Sequence, residues 1–532
     1  MQTRTFARCR ALVITTCTAA LLVAPGFAQA IFNPTSDWRS TDAQVSTGGA
    51  LADLDRDGWL DFVVANGNDM RQQRLTVFYN RGDGTYPSLP NWQSNDLAYN
   101  GHISVADVNG DGWPDVAVAH LGNGTGVPAQ PIARVYLNNN GTLGTTAGWT
   151  ANINGNAFGV AFGDMNNDGR PDLAVASGWA YGNTPVRKYV YANQNGVLAA
   201  APTWTSGDLG YAQGATWVDA DNDGWLDLAY SEGKGRSRVY RNTGGTLEAT
   251  PSWQEGDVAS QDGIMVTTGD VTGDGLPEFL MADNNQVGGG SGRFRQYNGL
   301  PAGFFETNAA WTYLDGYCSA VALADVNGDG RLDLATGAWW DKTRIFLNQG
   351  TGFAATNEWG STDNTVVEKI CFGDIDKDGL RPIVKTYASI PAGRRLFYLP
   401  HRPVQKIVSV VADGQPLAPS AYTADHENGW LTIGLDAAAL VVEYTASTRL
   451  DMATTDWEAR GNQVFYNLHL VPGDANCDGR VNFDDINPFV MLLTGSYPQY
   501  FPECDGEHAC DLNHDGRVTF DDINPFVALL TQ

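Results

Sequence analysis

The chain has 532 residues, with 33 Lys and Arg against 60 Asp and Glu, a net charge of −27. Such an acidic balance excludes nucleic acid and anionic membrane surfaces as main partners. The length exceeds one ordinary domain, and the 61 glycines alternate with Val, Ile, Leu and aromatic runs, so they mark tight turns rather than disorder.

Residues 1–30 read as a secretory signal peptide. Arg4, Arg8 and Arg10 form a basic start, ALVITTCTAALLVAP an apolar middle, and Ala28-Gln29-Ala30 a small-residue site with cleavage expected after Ala30. The apolar stretch is too short for a comfortable membrane span, and no later segment qualifies as transmembrane. The mature chain is therefore expected to be secreted or held at the cell surface. Cys9 and Cys17 leave with the signal, while Cys318, Cys371, Cys477, Cys504 and Cys510 remain. An export compartment permits disulfides, but five is odd and the pairing stays open.

One decapeptide then recurs: ADLDRDGWLD (52–61), ADVNGDGWPD (106–115), GDMNNDGRPD (163–172), VDADNDGWLD (218–227), GDVTGDGLPE (269–278), ADVNGDGRLD (324–333) and GDIDKDGLRP (373–382). Short alternating apolar segments flank each copy, and a third such segment ends in Asn and a Gly turn, as in VYLNNNG and VYRNTGG. Trp38, Trp92, Trp149, Trp204, Trp253, Trp311 and Trp359 each precede a copy. A fixed period of this kind marks a repeat architecture. Three strands plus a tryptophan strand make a four-stranded sheet, and such sheets repeated radially form a β-propeller. The expectation is an all-β, seven-bladed propeller over 31–402. The frame of the repeat implies that the strand around Trp38 completes the seventh blade, pairing with RRLFYLP (394–400).

This pattern resembles the FG-GAP repeats, also called VCBS repeats, of integrin α-chain propellers and many secreted bacterial proteins. The resemblance covers about 35–402.

The repeated loop, D-x-D-x-D-G-x-x-D, has the spacing of a Ca²⁺ site. Oxygens at positions 1, 3 and 5 converge, Gly at position 6 permits the sharp turn, and position 9 closes the shell. Hard oxygen donors favour calcium over zinc or copper. The expected ligands are Asp53, Asp55, Asp57 and Asp61; Asp107, Asn109, Asp111 and Asp115; Asp164, Asn166, Asp168 and Asp172; Asp219, Asp221, Asp223 and Asp227; Asp325, Asn327, Asp329 and Asp333. The fifth copy departs with Thr272 and Glu278 beside Asp270 and Asp274. The seventh keeps Asp374, Asp376 and Asp378 but has Pro382 at position 9, so its site is incomplete. The role expected for calcium is structural. The competing reading is a turn that merely prefers Asp, Asn and Gly.

Residues 403–470 lack the loop and alternate like a small β module; RLDMATTDWEARGNQVFYN (449–467) echoes RLDLATGAWWDKTRIFLN (331–348) and suggests half a blade. Residues 471–532 contain a tandem duplication with paired EF-hand-like loops: Asp474, Asn476, Asp478 and Asp485, then Asp511, Asn513, Asp515 and Asp522. Each loop runs into an apolar helix whose first turn must hold Pro488 or Pro525. The pair resembles a type I dockerin, which implies a small α-helical calcium domain and a cohesin-like or surface anchor as partner. Phe483-Asp484 and Phe520-Asp521 stand where cohesin-binding dockerins carry Ser-Thr, so a general anchoring role is the expectation. Cys477, Cys504 and Cys510 cluster here, and one disulfide is expected.

The face opposite the calcium turns carries Tyr99, Trp179, Tyr181, Tyr211, Tyr317, Trp339 and Trp340, aromatic groups suited to a glycan or a protein ligand. Their competing reading is packing between blades. Arg81-Gly82-Asp83 falls at a hairpin turn. The seven histidines form no motif, and neither G-x-S-x-G nor H-E-x-x-H occurs. The functional expectation is a non-catalytic adhesion or ligand-binding protein. The alternative is a polysaccharide lyase or glycoside hydrolase with unidentified catalytic residues.

Overall fold

The computed structural model describes residues 31–122, 130–178, 183–256, 262–286, 288–301, 303–468, 473–476, 481–497, 506–513 and 517–530. Residues 1–30, expected to be a signal peptide, and Trp179, Tyr181, Cys477, Cys504, Asp478 and Asp515 lie outside these residues.

Short β-branched and alanine-rich runs become strands buried on both faces. Asp115–His120 (DVAVAH) and Asp172–Ser177 (DLAVAS) are buried at every position. The first sheet is Ser46–Ala52, Asp61–Gly67, Gln72–Phe78 and Trp92–Gln93; four more four-stranded antiparallel sheets begin at Asn100–Ala106, Ala157–Gly163, Ala212–Val218 and Gly263–Gly269. An eight-stranded sheet follows, in which the sixth unit (from Tyr317–Ala324) is joined to the seventh (from Thr365–Gly373) through Trp339↔Val366 and Asp341↔Thr365. The first strand of each unit packs on that of the next, and Thr365–Gly373 packs on Ser46–Ala52, so the series closes on itself. These strands crowd together on the inside. A Cβ at Gly101 would lie 2.3 Å from the Phe158 carbonyl oxygen, and one at Gly159 would lie 2.4 Å from that of Gln213, so only glycine fits.

Two side-chain devices join neighbouring units. The indole Nε1 of Trp38, Trp92, Trp149, Trp204, Trp253 and Trp359 donates to a backbone carbonyl of the following unit, at 2.8 to 3.3 Å. In six units the Asn ending the third strand donates its Nδ2 to the position-2 carbonyl of the preceding unit's loop; in the fifth, Phe304 N donates to the Ala220 carbonyl instead. Asn138 thus reaches Leu54, Asn193 Val108, Asn242 Met165, Asn348 Val271, Asn467 Val326 and Asn80 Ile375.

The seventh unit corrects the sequence-based topology. Its second and third strands are Asp451–Asp456 and Gln463–Phe465, and Trp38–Arg39 pairs with the latter (Trp38↔Val464). The N-terminal segment therefore does complete this unit, but its partner is 463–465 and not 394–400. Leu396–Tyr398 instead pairs with Trp430–Ile433, in an insert between the first and second strands of the unit. The insert is two small sheets, one of Leu380–Ala388, Ala439–Ser447, Lys406–Ala412 and Gln415–Pro416, the other of Leu396–Tyr398, Trp430–Ile433 and Tyr422–Asp425. Its own core includes Phe397, Leu399, Leu431, Leu440 and Val442. The division at 402/403 therefore crosses one sheet-built body, and 449–467 is half of the seventh unit rather than an extra blade.

In the tail, Ile486–Thr494 and Ile523–Leu529 are helices with Pro488 and Pro525 at their third positions. Asn482 with Asp485, and Thr519 with Asp522, form capping boxes before them. Phe489 and Phe526 stack at 4.2 Å between the two halves. Cys510 is a buried free thiol, as are Cys318 and Cys371. No helix among the described residues is long and apolar enough to cross a membrane.

Candidate metal loops and the opposite face

All seven loops share one hydrogen-bond frame. The position-1 carboxylate accepts from the backbone N–H of the position-6 glycine: Gly58 to Asp53, Gly112 to Asp107, Gly169 to Asp164, Gly224 to Asp219, Gly275 to Asp270, Gly330 to Asp325 and Gly379 to Asp374, at 2.7 to 3.2 Å. In the first six that glycine has a left-handed φ, +91° at Gly58, which favours glycine. The position-9 carboxylate accepts from the position-2 N–H with one oxygen, as Asp61 does from Leu54 at 3.0 Å, and from the third-strand Asn N–H with the other, as it does from Asn80 at 2.9 Å. Asp115, Asp172, Asp227 and Asp333 repeat this pair.

In the fifth loop Glu278 reaches Val271 N at 2.6 Å, so its longer arm keeps the role. In the seventh loop Pro382 lies inside a strand of the insert. Position 9 there is taken by Asp451, which accepts from Ile375 N at 2.7 Å and from Asn467 N at 2.8 Å. Sequence reading missed Asp451 because it lies 76 residues beyond Ile375. The clue was the RLD echo at 449–451.

Carboxylate oxygens within three of the loops also converge. Asp53, Asp55 and Asp57 offer carboxylate oxygens within 4.8 Å of one another, as do Asp219, Asp221 and Asp223, and Asp374, Asp376 and Asp451. In the second, third and sixth loops the position-3 Asn109, Asn166 and Asn327 donate to Asp111, Asp168 and Asp329 at 2.9 to 3.2 Å, replacing one repulsion with a bond. Burial strips water from the position-9 carboxylates and pushes Asp61 and Asp227 up to about 8 and Asp115 and Asp333 up to about 7, against the pull of two backbone N–H donors. Buried Asp164 and Asp219 are also pushed up to about 7. Converging, mutually repelling, oxygen-only donor sets, each closed by a buried position-9 or position-1 carboxylate, fit a hard divalent cation.

In the tail, Asp485 and Asp522 are fully buried, and each accepts three backbone N–H bonds, which closes its loop onto the helix. Asp474, Asn476, Asp511 and Asn513 begin those loops.

The insert sits on the metal-loop side. Thr432 Oγ1 donates to Asp164 at 2.7 Å, Asp219 N donates to Tyr398 Oη at 3.1 Å, Arg395 to the Asn167 carbonyl at 3.0 Å, and Lys406 Nζ lies 3.2 Å from Asp53. A cavity of about 280 Å³ separates it from the inner strands, lined by His102, Ser104, Thr216, Lys369, Tyr422 and His426 among others.

On the opposite side Tyr99, Leu121, Phe158, Ile264, Trp339 and Val366 form a buried cluster, with Tyr317 and Trp457 packed against it. Of the expected ligand aromatics, Tyr99 and Trp339 are thus core, Tyr211 and Tyr317 half-buried, and Trp340 is 49% exposed. Trp340 rests edge-on against Trp339 and Tyr317, and its Nε1 donates to Glu458 at 2.6 Å. Its φ is +59°, a strained backbone for so bulky a residue. Phe158 and Trp457 were missed in sequence because neither recurs with the repeat. Beneath them Glu368 is fully buried and accepts from Trp339 Nε1; burial holds its carboxyl well above the usual range. Arg81-Gly82-Asp83 forms a turn tied to Asn80, with Gly82 N donating to Asn80 Oδ1 at 3.0 Å.

Closed repeats of four-stranded, propeller-like blades carrying acidic loops define the class. The FG-GAP-like repeat model matches residues 32–118, 120–175, 219–281, 270–336 and 325–381, and the FG-GAP repeat model matches 156–195. The chain belongs to the FG-GAP-like repeat family. It is 31% identical over 145 residues to integrin alpha-7 of Homo sapiens and 26% over 148 residues to integrin alpha-3 of Cricetulus griseus, each match covering 24% of this chain. The matches span only 12% and 13% of those relatives' own length. A solved structure of BBS1N in complex with ARL6DN, soaked with mercury, superposes with a TM-score of 0.43 at 12% identity, covering 78% of this chain and 98% of that one.

Proposed function

We propose that this is a secreted, calcium-stabilised, seven-bladed propeller that binds a glycan or protein ligand on the face opposite its metal loops. The observation that carries the ligand face is Trp340, a strained and half-exposed tryptophan on an aromatic platform, while the insert covers the other mouth of the ring. Strain retained at an exposed aromatic residue points to recognition rather than packing. The tail acts as a dockerin-like anchor. Phe483 and Phe520, 74% and 79% exposed at matching loop positions, supply a contact surface for it.

Glycan arrays and pull-downs with the mature chain test the ligand face. Trp340→Asn, which tolerates the left-handed backbone, should abolish binding with melting unchanged or raised. Retained binding would end the assignment. The enzyme alternative draws support from Glu368, a buried acid whose Oε2 has no hydrogen-bond partner. Product release from a polysaccharide, lost in Glu368→Gln, would favour it.

A further inference from the structure

The seventh loop differs from its sisters in how its carboxylates are supplied. Asp374, Asp376 and Asp378 leave the end of Thr365–Gly373, and the chain then enters the insert. Asp451 arrives from the other end of the insert and pairs Gly373↔Asp451, the register that Ala106↔Asp115 has in the second unit. Asp374 and Asp451 are essentially fully buried. Asp374 Oδ1 is buried without a hydrogen-bond partner, an expensive state for a carboxylate oxygen unless an ion receives it. Arg449 Nη1 lies 2.6 Å from Asp378 Oδ2 and neutralises position 5, while Asp378 Oδ1 is, like Asp374 Oδ1, buried without a hydrogen-bond partner. Among the described residues, no ion pair reaches Asp374, Asp376 or Asp451.

We propose that Asp374, Asp376 and Asp451 form a seventh cation site, closed across the insert, and that the ion bound there ties both ends of the insert to the ring. The donors are all oxygen, which selects Ca²⁺. In the other units an ion bridges one short hairpin. Here it bridges two segments whose separation is the whole insert, so its loss releases the body that caps the cavity. Gln405 Nε2 donates to the Asp374 carbonyl at 2.7 Å and adds a direct link from the insert to this loop. The inference rests on the calcium reading of the loops but adds a ligand that the repeat motif does not contain.

Equilibrium dialysis of the full chain against radioactive Ca²⁺ counts bound ions. Asp451→Asn should bind one ion fewer than wild type. In Ca²⁺, trypsin should cut its insert faster than it cuts the wild-type insert, and an unchanged rate counts against the tie. An unchanged ion count overturns the seventh site and leaves the other loops' calcium reading standing. A wild-type chain that binds no ion overturns both. If Asp451→Asn does not fold, Asp376→Ala, which gives up one long turn bond of 3.3 Å from Asp378 N, reads the same count: one ion lost supports the site, none lost refutes it.

Discussion

Phe32→Ala tests how the chain closes. Phe32 is fully buried although it lies at the edge of the described chain. Its ring meets Trp359 edge-on at 5.4 Å, its carbonyl accepts from Trp359 Nε1 at 2.8 Å, and it bridges Asn467 of the seventh unit. Truncating a buried phenylalanine costs about 3–5 kcal/mol, the aromatic pair included. A cooperative body of roughly 430 residues has an unfolding entropy near ~0.9 kcal/mol/K, so melting should fall by about 3–6 °C. Urea unfolding followed by tryptophan fluorescence, alongside calorimetry, measures both quantities. Met70→Ala, at a residue 77% exposed, is the control and should change neither. A Phe32→Ala shift below about 1 kcal/mol, the range of ordinary surface substitutions, would show that the N-terminal segment is not held in the ring by packing between the sixth and seventh units.

His102 and His120 are buried neutral imidazoles pushed down to about 3 by burial, and His120 Nδ1 lies 2.8 Å from the Pro131 carbonyl. A base whose folded value lies below its unfolded one supports the fold above pH ~6.5 and loses that support as pH falls toward 3, so each should cost about 2 kcal/mol at pH 5 relative to neutrality. A His120→Gln variant should flatten the acid limb of a stability-against-pH curve. Chelation should lower the melting temperature: loops of about 10⁻⁴ to 10⁻³ M affinity each add about 0.4–1.4 kcal/mol at millimolar Ca²⁺, and calorimetry with and without EDTA reads the sum. Asn193→Ala removes bonds to the Val108 and Pro171 carbonyls at 2.8 and 3.2 Å and should cost about 2–4 kcal/mol by stranding both in the interior. Asn298→Ala, at a side chain that accepts one bond from Gln296, should cost about 1 kcal/mol or less by the same measure, as denaturant midpoints will show.

The period of the loops, the tryptophans and the Asn-Gly turns was legible because each is a local pattern. D-x-D-x-D-G places its oxygens within ten residues, and alternation over six residues specifies a strand without reference to the rest of the chain. The roles of the periodic groups were only partly legible. The indoles read as packing, but their carbonyl partners, and those of the third-strand asparagines, belong to the neighbouring unit. The aromatic face divided in a way no spacing predicted: Tyr99 and Trp339 are buried among Phe158 and Trp457, while Trp340, one residue along, is turned outward by a left-handed backbone.

By itself the amino-acid order determined the repeat, the strand content and the acidic loops, since hydrophobic alternation and turn chemistry act over a few residues. Only the tertiary structure decided where the seventh unit finds its second half. Leu396–Tyr398 and Gln463–Phe465 both have short apolar strand character, but Val464 stands opposite Trp38 and Asp451 opposite Gly373. Closing the series buries the N-terminal segment and returns the missing carboxylate to its loop. That choice rests on contacts between residues hundreds of positions apart, which no local window contains.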